Sequence, residues 1–110
     1  MTNVEALKEV CHLIENGWTQ EEYARNKDGD ATTTCSTHAT CFCLEGACMR
    51  VDQKNKFEIN TEQIISRYIR SKYQIHTTVW NDKPERTKEE VLALLDEIIS
   101  LEGLFGVYQQ

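Results

Sequence analysis

Residues 35–48 read CSTHATCFCLEGAC: four cysteines and a histidine within fourteen positions of a 110-residue chain that has five cysteines in all. Three readings compete for this stretch: a chelating knuckle, a reactive thiol, or the middle of a hydrophobic core. The residues that follow decide between them. From Thr40 to Val51 nearly every position is apolar or small, namely Cys41, Phe42, Cys43, Leu44, Gly46, Ala47, Cys48, Met49 and Val51. A helix that is apolar all round belongs inside a protein, so the pattern predicts a central helix over 40–51. Ser36 or Thr37 would cap its start, and Gly46 and Ala47 would let neighbouring helices approach closely. Glu45 interrupts the run, and Arg50 and Asp52 mark its exit.

A helical reading weakens the metal reading. A tetrahedral zinc site needs four converging ligands, and Cys35, His38 and Cys41 have chelating spacing. On a helix, however, Cys41 and Cys43 project about 200° apart, and Cys48 lies two turns beyond Cys41. Only an irregular 35–41 segment with a distant partner such as His12 or His76 would close the shell. Buried thiols that behave as small apolar groups are the expected outcome, with no metal and no cofactor. Cys35 with His38 nearby is the nearest approach to a nucleophile–base pair. Adjacency in sequence is not catalytic geometry, so no catalytic residue is assigned.

On either side of this stretch the chain reads as helices. Thr2 and Glu5 have capping-box spacing, followed by Val4, Leu7, Val10, Cys11 and Ile14 on one stripe. Gly17 in a left-handed conformation would stop this helix and fold Trp18 back against Leu13. Asp28-Gly29 is a turn signal compatible with a small hairpin. A calcium loop fails there, because the register would put Ala24 and Cys35 at ligand positions. Asn60 and Gln63 have cap spacing for a third helix carrying Ile64, Ile65, Tyr68 and Ile69. His76–Trp80 is β-prone and reads as extended, and Pro84 keeps the following segment a loop. Thr87 and Glu90 form a second capping box before a helix with Val91, Leu94, Leu95, Ile98 and Ile99 on its face, ended by Gly103. The fold class expected is mainly α: one four-helix domain over 1–110, with the first and last helices covering the central one.

Composition limits function. The chain is 40% hydrophobic and 27% charged, with a formal net charge of −6. Such a balance suits a soluble domain and works against nucleic acid, whose phosphates need Lys and Arg. Arg67, Arg70 and Lys72 near Tyr68 and Tyr73 are the local exception, better explained as cations complementing a helix C-terminus. No apolar run reaches the ~20 residues that span a bilayer, and the N-terminus lacks a signal-peptide layout. No membrane partner is expected. An odd number of cysteines fits free thiols in a reducing, cytoplasmic compartment. The apolar stretch LFGVY (104–108) and the acidic surface together predict a homodimer.

Gly17-Trp18, Cys43-Leu44-x-Gly46-Ala47, Trp80-Asn81-Asp82 and Thr87-x-x-Glu90-Val91 occur in an order that resembles a family of small uncharacterised bacterial and phage proteins, a domain of unknown function. The resemblance spans nearly the whole chain and implies a helical or mostly helical fold. It implies no activity. The extra Cys35, Cys41 and Cys48 and a longer third segment depart from its pattern.

The polar residues near the tryptophans are the candidate ligand-binding set: Trp18, Glu45, Trp80, Asn81, Asp82 and Arg86. A structural role accounts for them if Trp80 fills the core and Asn81 and Asp82 bond backbone amides around Pro84. A pocket is the functional alternative, in which a tryptophan face beside Asn, Asp and Arg holds a small polar ligand or a protein segment. Glu45, on a central helix, needs a partner; Arg25, Arg50 or Arg86 would serve. If Glu45 and Asp82 instead faced one cleft, two carboxylates could run acid–base chemistry. The first expectation is therefore a non-enzymatic binding or regulatory module. The alternatives are a small hydrolase-like enzyme using Glu45, Asp82 or Cys35/His38, and a zinc-stabilised module.

Overall fold

The computed structural model describes residues 1–105. Its elements run α1 (Asn3–Asn16), β1 (Ala24–Arg25), β2 (Cys41–Phe42), α2 (Leu44–Lys54), α3 (Thr61–Tyr73), α4 (Thr77–Asn81) and α5 (Lys88–Phe105). The fold is mainly helical with one small antiparallel sheet, in which Ala24 faces Phe42 and Arg25 faces Cys41. No helix among the described residues is long and apolar enough to cross a membrane. Of the LFGVY stretch, residues 106–108 lie outside the described residues.

The caps read from the sequence are present. Thr2 and Glu5 close a reciprocal capping box at α1, Thr87 and Glu90 close another at α5, and the Asn60 side chain accepts from the Gln63 amide at α3. The stripe of α1 buries Leu7, Val10 and Ile14, and that of α5 buries Val91, Leu94, Leu95 and Ile98. Each such side chain contributes roughly 1.5–3 kcal/mol on leaving water.

The centre differs from the expectation. The thiol-rich segment is not one helix over 40–51. Cys41 and Phe42 pair as a strand, Cys43 is the N-cap with its sulfur accepting from the Gly46 amide at 3.3 Å, and α2 runs on to Lys54. Ser36 and Thr37 therefore do not cap this helix. β-prone Cys41-Phe42 finds a partner in Ala24-Arg25, and sheet hydrogen bonds outweigh a helical extension there. α2 is also less apolar at its far end, where Gln53 and Lys54 are exposed. α1 shares the central position: it packs on α5, α2, α3 and β2, while α5 packs chiefly on α1.

Two further corrections concern stops. Gly103 does not end α5, which continues to Phe105; a lone glycine costs about 1 kcal/mol in a helix interior and stops nothing without a left-handed turn. Gly17 does end α1, but in extended backbone. Glycine is required because a Cβ would lie 2.2 Å from the Thr40 carbonyl oxygen. Trp18 runs alongside Phe42, with Phe42 N donating to Gly17 O and Thr19 N to Phe42 O.

Of the His76–Trp80 stretch only His76 is extended. Thr77–Asn81 forms the short helix α4, raising the number of described helices from the expected four to five. Burial of Thr77, Trp80 and Asn81 against α2 and α3 overrides the weak helix propensity of Thr and Val. Near Asp28-Gly29 the chain does turn, with Gly29 at φ +85° and one bridge between Arg25 and Ala31.

Candidate functional site

Three of the four family-like motifs meet at one point, Asn81. Asn81 is fully buried, and its side chain uses every position it has. Its Oδ1 accepts from the Trp18 indole at 2.8 Å and from the Leu44 amide at 3.1 Å. Its Nδ2 donates to Thr19 O at 3.2 Å and to Asp82 Oδ1 at 2.9 Å. Gln20 extends the network by donating to the carbonyls of Asn81 and Lys83. One amide thus ties the Gly17-Trp18 turn, the start of α2 and the end of α4 together. Gly46 completes the contact: a Cβ there would lie 1.9 Å from Tyr23 O, so α2 touches the 20–24 segment backbone to backbone.

Asp82 faces outward from this network. Its Oδ1 also accepts from the Glu21 amide at 3.0 Å, holding Glu21 at φ 73°. A left-handed conformation is uncommon for glutamate. Oδ2 has no hydrogen-bond partner among the described residues. Glu21, Glu22, Tyr23, Cys43, Thr78 and Asp82 line an open cavity of about 300 Å³. Burial pushes the Cys43 thiol up to about 11, with the nearby Asp82 carboxylate adding to the rise. It is protonated at neutral pH and forms an inert wall.

The remaining sequence candidates fall elsewhere. Trp80 is buried and turned away, with the Arg86 guanidinium 3.8 Å from its ring centre and Tyr73 beyond. Arg86 donates to Trp80 O and pairs with Glu90, so both residues are occupied in joining α4 to α5. Glu45 does not line the Asp82 cavity and forms no ion pair among the described residues. The expected arginines are engaged otherwise: Arg25 with Thr19, Gln20 and Gly29, and Arg50 with Thr34 and Ser36. Half-burial raises the Glu45 carboxyl, and the Glu62 charge adds to that while His76 opposes it.

The cysteines divide by depth. Cys43 and Cys48 are buried, Cys11 and Cys41 half-buried, and Cys35 is exposed outside the core with its thiol against Gln53. His38 lines a different shallow cavity, beside Asn26, Lys27 and Asp28. Among the described residues no group of three or more His, Cys, Asp or Glu side chains is placed to hold a metal ion.

Sequence reasoning missed Gln20, Glu21, Tyr23 and Thr78. Their only signal was indirect, a polar segment placed between two motifs, and the left-handed turn at Glu21 has no glycine to mark it.

The sequence model of a family of unknown function (DUF6197) matches residues 1–101. The chain belongs to that family. No curated protein and no solved structure matches it.

Proposed function

We propose that this member of the family is a small cytoplasmic, non-enzymatic binding module. Its ligand is a cationic group, carried by a protein partner or a small polar molecule, received between Glu21–Tyr23 and Asp82. One observation carries the reading: Asp82 keeps a carboxylate oxygen without a partner among the described residues, at the mouth of a cavity rimmed by Glu21 and Glu22. The ligand would displace water from that oxygen, and a charge-assisted hydrogen bond is about twice as strong as a neutral one. Trp18 and Asn81 belong to this reading as supports, since their polar atoms are spent on positioning Asp82. Trp80 and Arg86 stiffen the same short helix from its other side. The reading is non-enzymatic because the thiol in the cavity wall is protonated and Glu45 is not among the residues that line the cavity.

Titrating labelled protein with a lysine-rich peptide and with lysine methyl ester tests this by amide chemical shifts. Saturable shifts at Glu21–Tyr23, Cys43 and Thr78 are expected, weakened about tenfold in Asp82→Asn. That variant can retain the Oδ1 acceptor while losing the charge, and its urea midpoint checks the fold. Unsaturated shifts up to millimolar ligand, or equal affinity in Asp82→Asn, would reject the proposal.

A further inference from the structure

A separate cavity of about 480 Å³ lies between α1 and α2. Its floor is apolar, made by Leu13 and Val51, and its rim carries Lys8, Arg50 and Lys54. Three of the chain's twelve Lys and Arg residues therefore converge on one groove in a protein of net charge −6.

Arg50 is the residue that turns the groove into a receptor. Its Nη1 donates to Thr34 O and to Ser36 O, both at 2.9 Å, and its guanidinium carbon stands 5.6 Å from the Phe42 ring centre. The half-buried guanidinium is thus fixed before any ligand arrives, so little rotamer freedom remains to be lost. Nε and Nη2 have no protein acceptor among the described residues. Those two groups form one edge of the guanidinium plane, a two-pronged donor that matches the oxygens of a carboxylate. Lys54 follows one turn along the same helix, and Lys8 faces it from α1; neither forms an ion pair among the described residues. Glu5 and Glu9 also line the groove. Glu5 is engaged with Thr2 in the capping box. Glu5 keeps its charge in that cap, so Lys8, Arg50 and Lys54 against Glu5 and Glu9 leave an excess of one positive charge, which a single carboxylate neutralises and a dianion exceeds.

We infer that the α1–α2 groove is a binding site for a small monocarboxylate with an apolar body, its carboxylate on the free edge of Arg50 and its apolar part on Leu13 and Val51. This site is independent of the Asp82 cavity.

Phenylacetate, phenylacetamide and phenyl phosphate are suitable probes, followed by amide chemical shifts at low salt. Phenylacetate is expected to give saturable shifts at Leu13, Arg50 and Val51, and phenylacetamide to bind at least about tenfold more weakly. Arg50→Lys keeps the charge and loses the fork, so affinity should fall about tenfold. Lys54→Gln, at an exposed position without a hydrogen-bond partner among the described residues, should lower affinity about two- to fivefold and flatten its salt dependence. This second variant decides the matter if Arg50→Lys proves poorly folded by its urea midpoint. Equal binding of acid and amide, tighter binding of phenyl phosphate, or unchanged affinity in folded Arg50→Lys or in Lys54→Gln would overturn the inference.

Discussion

Asn81 meets no solvent, yet none of its side-chain hydrogen-bonding positions is wasted. Asn81→Ala would leave the Trp18 indole, the Leu44 amide and the Thr19 carbonyl without their partner. A buried group left unpaired costs about 1–3 kcal/mol; water reaches the half-buried Trp18, so a loss of about 3 kcal/mol in total is expected from urea unfolding. The thiols give a second prediction. With Cys43 and Cys48 buried and their thiols raised by burial, a disulfide reagent at neutral pH should modify exposed Cys35 first. It should reach Cys43 and Cys48 only on unfolding, and mass spectrometry of the labelled peptides reads the order. The sequence placed Trp18, Asn81 and Asp82 in recognisable motifs, and hydrogen bonds join the three in the fold. The sequence did not reveal that Trp80 and Asp82 point opposite ways: residues two apart on a helical turn diverge by about 200°, and nothing in the composition says which side is cavity.

The same contrast holds among the elements. α1, α3 and α5 were legible because each has an apolar stripe and a capping residue that act locally. α4 was not, because its helical state depends on burial against α2 and α3, and its own residues favour extended backbone. The start of α2 was misjudged for a similar reason: Cys41 and Phe42 are strand only because Ala24 and Arg25, distant in sequence, lie beside them. Local capping also sets a pH dependence. The Thr2 backbone amide and hydroxyl hold the Glu5 carboxyl below the usual carboxylate range, and the Thr87 amide, Thr87 hydroxyl and Arg86 do so for Glu90. For an acid depressed in the folded state, the stabilisation is present above the unfolded value and is lost as pH falls through the folded one. Glu5→Gln and Glu90→Gln should therefore lower the urea midpoint at pH 7 and narrow the gap to the parent protein at pH 3.

Across the whole molecule, the Asn81 network joins residues more than sixty positions apart, such as Trp18 with Asn81. The α1–α5 contact joins the two ends of the described chain, with Asn3 bonded to Glu102 at 2.8 Å. No large part of the fold is complete without the rest. Unfolding should therefore be a single cooperative transition, with tryptophan fluorescence and far-ultraviolet circular dichroism giving coincident curves in urea. Separated midpoints would mean that α5 or the 17–43 segment melts on its own. Gly46→Ala tests the tightest junction. Its new methyl would press on the Tyr23 carbonyl, and a loss of about 2–3 kcal/mol follows from the forced backbone shift.

Gly29 offers the opposite circumstance, because nothing lies within 4 Å of where its Cβ would be. Its positive φ disfavours a plain replacement and Arg25 bonds its carbonyl, but nothing crowds the outer side of the bend. An affinity tag or a dye-bearing peptide spliced between Asp28 and Asp30 would hang clear of the packed body. Both cavities could then be assayed on a tethered or fluorescent protein whose handle competes with neither.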